Sequence, residues 1–177
     1  MSLIDVAAAL ERVRAVLRRR PESGLHDDAA ATARWEGGTR VLASHAGGAR
    51  FVTDMPTELG GSGEHPTPGW LFRAGMSSCA VVSIVFAAAG EGIELAALEV
   101  KATSRSDSRG MFGLPDAEGR PISAGPGELQ LHVRIAAPGV PEARLRALVE
   151  AAVARSPMPT AVRNANPLAL NIDVSPG

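Results

Sequence analysis

The sequence has little of several things that would point to a partner. It holds one cysteine and no tyrosine, and aromatic residues make up 3% of it. A single cysteine excludes a disulfide framework within the chain. So few rings argue against the aromatic platforms on which single-stranded nucleic acid stacks. Charge of one sign is also missing: 18 basic against 19 acidic residues give a net charge of −1. No basic surplus is left to draw nucleic acid or an anionic membrane surface. The first twenty residues carry charges throughout and have no continuous apolar core, so no secretory leader is read there and a cytoplasmic location is expected. His26-Asp27-Asp28 is the one local cluster of metal-ligand types. Adjacent residues on a loop chelate one ion poorly, so neither a metal nor a cofactor is expected. The loop Gly60-Gly61-Ser62-Gly63 lacks the lysine of a phosphate-binding loop and the full spacing of a dinucleotide fingerprint.

A chain of 177 residues is long enough for one domain with a sizeable core. The most informative stretch runs from Thr67 to Gly90, TPGWLFRAGMSSCAVVSIVFAAAG. Thr67 suits a helix N-cap and Pro68 the first helical position, where a missing N–H costs nothing. From Ala74 to Gly90 there is no charge, and apolar residues lie on every face. Such a helix is buried in a soluble fold or spans a membrane. Gly75, Ser77, Ser78 and Ser83 interrupt the apolar run, which favours burial in a soluble fold. Phe72, Met76, Cys79 and Ser83 share one face by helical spacing.

The remaining elements follow from period and punctuation. Ile4–Leu17 carries an amphipathic stripe and ends before Pro21; Pro21–Ala30 reads as a linker. Ala31–Trp35, Arg40–His45 and Arg50–Thr53 read as three short strands separated by the pairs Gly37-Gly38 and Gly47-Gly48. Beyond the central helix come a strand at Leu95–Ser104, a long loop at Ser106–Gly127 and a strand at Leu129–Ala136. A helix at Pro141–Arg155, a short helix at Met158–Asn164 and a last strand at Leu168–Val174 complete the order.

Two segments, DMPTELGG followed by TPGWLFRAGMSSCAVVS, and ARSPMPTAV, together with SDSRG and SAGPG between them, stand in a fixed order. The set resembles the OsmC/Ohr family of osmotically inducible and organic-hydroperoxide-resistance proteins over about Ala31 to Val174. The resemblance implies an α+β fold with curved antiparallel sheets around long buried central helices, in an intertwined homodimer. On that basis residues 31–177 form an OsmC-like domain, and residues 1–30, an extra helix and linker, are an addition to it.

The resemblance also implies a site. Cys79 matches the family's peroxidatic cysteine. The resolving cysteine, which precedes a proline, is here Ser156 before Pro157. The assisting glutamate position reads Gly69. The assisting arginine falls near Gly37–Arg40, which leaves Arg40 and Arg50 as candidate stabilisers of a thiolate, with Arg109 as a third. Trp70, Phe72, Met76 and Ser83 are the candidate walls of a pocket for an apolar hydroperoxide or another small apolar ligand. A thiol attacks peroxide as its thiolate. Cys79 lies eleven residues beyond Pro68, too far for the dipole of its own helix to act on it. Two readings stay open: at most a weak one-cysteine, thiol-dependent organic hydroperoxide reductase, or a non-catalytic relative that binds an apolar small molecule in the dimer pocket and in which Cys79 is structural.

Overall fold

The computed structural model describes residues 2–175; residues 1, 176 and 177, at the outer ends of the two expected segments, lie outside the described residues. Helix α1 spans Leu3–Arg19 and opens with a capping box. Ser2 Oγ accepts from the Asp5 amide, and the Asp5 carboxylate accepts from the Ser2 amide, so two end donors are satisfied. Strands β1 (Ala31–Gly37), β2 (Arg40–His45) and β3 (Arg50–Thr53) form an antiparallel three-stranded sheet in that order. Gly37 and Gly38 have φ of 107° and 57°, which a tight turn between β1 and β2 requires.

Helix α2 runs from Pro68 to Gly90, with Thr67 Oγ1 accepting from the Trp70 amide. It packs on α1 and on three elements further along. Those include strand β4 (Ala97–Arg105), which pairs antiparallel with β5 (Gly127–Ala136) in a second sheet. They also include helices α4 (Glu142–Ala154) and α5 (Pro157–Asn164). The long loop between β4 and β5 holds one turn of helix, α3 (Ser108–Met111), capped by Asp107. The sequence alone predicts a loop throughout this stretch. The core sits between α2 and α4: Ile84, Ala88, Ile93, Leu145, Leu148 and Ala152 form one buried cluster. Val100, Val133 and Ile135 of the second sheet close it from the other side.

One expectation is met on one face only in the single chain, and another is not met. Helix α2 is long and apolar enough by length and composition to cross a membrane, but it is covered on one side only. Met76, Ala80, Ile84, Ala88 and Ala89 are buried, whereas Gly75, Ser78, Val82 and Phe86 form an exposed stripe. The expected strand at Leu168–Val174 does not form either: residues 165–175 carry no regular structure, and Leu168, Leu170, Ile172 and Val174 are exposed. A strand exists only where a neighbouring edge completes its hydrogen bonds, and neither sheet of the chain includes this segment.

Candidate active site

The side chain of Cys79 projects from the middle of α2 toward the start of α5. Its Sγ lies 3.3 Å from Ser156 Oγ, which donates to it, and 3.5 Å from the Met158 amide nitrogen. Ser156 is the N-cap of α5 and is wholly buried, with 0% of its surface exposed. It does not cap its own helix through its side chain. Its hydroxyl is turned to the sulfur instead. The dipole of α2 is indeed remote from Cys79, but the N-terminus of a second helix, α5, reaches the sulfur through space.

Beside this contact lies an open cleft of about 310 Å³ lined by Phe72, Met76, Met158, Ala161, Val162, Ala165 and Asn166. Met76 is one helical turn before Cys79, and Met158 is the residue whose amide donates to the sulfur. The chain thus brings together Cys79, Ser156, Phe72 and Met76.

Other candidates are placed elsewhere. Trp70 stacks on Phe51 of β3, with ring centroids 5.9 Å apart and planes 7° from parallel, and so ties the start of α2 to the first sheet. Ser83 Oγ donates to the Cys79 carbonyl of its own helix at 2.9 Å and is not a cleft wall. Arg109 is paired with Asp107. Arg50 is exposed at the start of β3. Arg40 lies 3.9 Å from carboxylate oxygens of both Asp54 and Glu64. Among the described residues no guanidinium is hydrogen-bonded to Cys79 Sγ; its donors there are Ser156 Oγ and the Met158 amide.

Asp54, which sequence reasoning passed over, explains where Arg40 goes. It is buried and accepts from Thr39 Oγ1, from Ser62 Oγ and from the Ser62 and Met55 amides. The Thr39 hydroxyl above all, then Ser62, holds its carboxyl far below the usual carboxylate range. These bonds fold the 54–67 segment back on itself. Gly61 sits so close to the Met55 carbonyl that a Cβ there would lie 1.8 Å from its oxygen. The glycine-rich loop is a closed structural turn held by a carboxylate, and that signal was legible only as the repeated Gly and Ser. At the assisting-glutamate position, a Cβ on Gly69 would lie 3.7 Å from Arg73 Nη1. Arg73 in turn donates to Ser104 Oγ of β4.

The profile of the OsmC family, described as OsmC-like protein, matches residues 61–171, more than half of the chain. The chain belongs to the OsmC-like family. Among solved structures, the OsmC-like protein from Mycoplasma pneumoniae superposes with a TM-score of 0.65 at 16% identity, covering 78% of this chain and 89% of that one. The organic hydroperoxide resistance protein OsmC from Legionella pneumophila gives a TM-score of 0.60 at 25% identity, over 78% and 91%. An organic hydroperoxide resistance protein from Elizabethkingia anophelis gives 0.59 at 25% identity, over 78% and 90%. No curated protein matches the sequence. The identities mark a divergent member with the α+β fold of the family. Its matched range contains the cysteine-bearing helix and the α4–α5 segment, whereas α1 and the first sheet precede it.

Proposed function

We propose that this OsmC-like protein is a one-cysteine, thiol-dependent organic hydroperoxide reductase acting in oxidative-stress defence in the cytoplasm. The observation that carries the reading is the position of Cys79: a half-buried sulfur with two hydrogen-bond donors aimed at it, beside an apolar cleft. Support comes from relatives named for organic hydroperoxide resistance at 25% identity. The cleft would hold the organic group of the peroxide against Phe72, Met76 and Met158. The Cys79 thiolate attacks one peroxide oxygen, the O–O bond breaks, and the alkoxide leaves and takes a proton from water. Cys79 is then a sulfenic acid, oxidised by two electrons. The chain has no second cysteine to resolve it. One external thiol condenses with the sulfenic acid to a mixed disulfide and water; a second releases Cys79 and leaves as the external disulfide. Arg40 or Arg50 would assist only if brought in from a second chain.

The working form in this reading is a homodimer, with the exposed stripe Gly75, Ser78, Val82 and Phe86 of α2 packed on its counterpart. Residues 1–30 add a helix to the domain at 31–177, and α1 lies against α2. A second reading keeps the cleft but not the chemistry: an apolar ligand binds and Cys79 is inert. Gly69 and Ser156, standing where the family has its glutamate and resolving cysteine, favour it. Steady-state consumption of cumene hydroperoxide with dithiothreitol as reductant separates the two. The reductase reading expects turnover that depends on added thiol and falls at least about a hundredfold in Cys79→Ser, as loss of a nucleophile does. Turnover unchanged in Cys79→Ser, or absent from the native protein, contradicts it.

A further inference from the structure

Ser156 is unusual among the buried polar side chains of this chain. Thr53 and Asp54 belong to the first sheet and its loop; Ser156 stands alone at the α4–α5 junction, wholly buried. Burying a hydroxyl costs free energy unless it is hydrogen-bonded, and among the described residues the one side-chain partner of Ser156 is Cys79 Sγ. The segment that follows is Ser156-Pro157-Met158-Pro159. The first turn of a helix exposes backbone N–H groups with no partner inside the helix. Here Pro157 and Pro159 have none to offer, and the Thr160 amide bonds the Ser156 carbonyl. Met158 supplies the one amide left, and it points at Cys79 Sγ. The prolines also fix φ on both sides of Met158, so the direction of that amide is set by the backbone. The sulfur therefore takes the place that a capping side chain takes at other helix starts.

We propose that Ser156 is a positioning residue for Cys79, and that its hydroxyl and the Met158 amide together aim the sulfur, favour its anion as it reacts and later retain the sulfenic acid for an external thiol. A sulfur anion gains more from two donors than a neutral thiol does, because hydrogen bonds to charged groups are about twice as strong as neutral ones. Transfer of oxygen to the sulfur leaves both donors in place, and the Ser156 proton is not consumed: the leaving alkoxide takes its proton from water. The absence of a cysteine at 156 is then a change of route and not a loss. Serine cannot form a disulfide, so the oxidised site waits for a small thiol.

This inference rests on the reading of Cys79 as the reacting thiol, but it is tested without peroxide. Carbamidomethylation of Cys79 by iodoacetamide is followed by mass spectrometry across pH in the native protein, in Ser156→Ala and in Ser156→Gly, with melting temperature measured alongside. Ser156→Ala is expected to slow alkylation at neutral pH by about tenfold, the worth of one charge-assisted hydrogen bond, and to displace its pH profile upward. Ser156→Gly is expected to do the same, although it changes packing more. A profile in both variants that superimposes on the native one overturns the proposal. Displaced profiles in a protein that consumes no hydroperoxide would overturn the reductase reading and leave the role of Ser156 standing.

Discussion

Ser156→Cys is expected to form a disulfide with Cys79 within one chain under mild oxidant. The native Oγ lies 3.3 Å from Cys79 Sγ, so the new sulfur starts beside its partner and reaches bonding distance by a small adjustment. Pro157 holds the backbone just beyond it. The two positions are 77 residues apart. Closing a loop of that length stabilises the folded state by about 4 kcal/mol in the chain-entropy account. In a protein of this size that corresponds to a rise in melting temperature on the order of 10 °C, reversed by reductant. The same bond would give the protein a resolving cysteine and free its turnover from the small thiol that reaches the sulfenic acid. Non-reducing mass spectrometry reads the outcome. Two free thiols after oxidation, in a variant that remains folded, would contradict the placement of Ser156 against Cys79.

Substitution on the exposed stripe of α2 is expected to have the second large effect. Val82 and Phe86 are 48% and 44% exposed in the single chain, on a helix without a charge from Ala74 to Gly90. Gly75 has open space where its Cβ would be, and Ser78 lies one turn on, so a second backbone can approach closely. In a two-fold interface each side chain counts twice. Burying a Val or Phe side chain is worth about 1.5–3 kcal/mol. Phe86→Asp therefore removes about 3 kcal/mol or more across the pair, a weakening of at least about a hundredfold. Sedimentation at low micromolar concentration should find a native dimer and a Phe86→Asp monomer or aggregate. A native protein that sediments as a stable folded monomer contradicts the interface.

The fold was legible where one residue decides a local event. Thr67 and Pro68 place the start of α2, and Gly37 and Gly38 place the turn between β1 and β2. Alternation from Leu129 places the inward face of β5. The strand at Leu168–Val174 shows the limit of that signal: the alternation is present, but its exposed apolar face has no ladder within the chain. The one-turn α3 depends on Asp107, a single polar residue that serves turns and helices alike. The site was legible less evenly. The residue types at Cys79 and Ser156 came from family resemblance, and no spacing in the sequence shows that residues so far apart meet. Helical spacing put Ser83 on the face of Cys79, yet its hydroxyl satisfies the carbonyl one turn back, a common competing use of serine. Helical position makes Trp70 a candidate cleft wall, but its ring follows Phe51 of the first sheet. Arg40 is a candidate from its place near the family's assisting arginine, and the carboxylates that engage it, Asp54 and Glu64, are reached only once the loop is folded.

The central claim is that organic hydroperoxide oxidises Cys79 to a sulfenic acid that no group in the chain resolves. The direct measurement is single-turnover mass spectrometry of the native protein, treated with one equivalent of cumene hydroperoxide in the presence of dimedone and without added thiol. The account predicts one dimedone adduct per chain, on the peptide bearing Cys79, and its loss when a small thiol is added before the dimedone. An unmodified Cys79 after the peroxide has been given time to react, in protein whose thiol still alkylates with iodoacetamide, would contradict it.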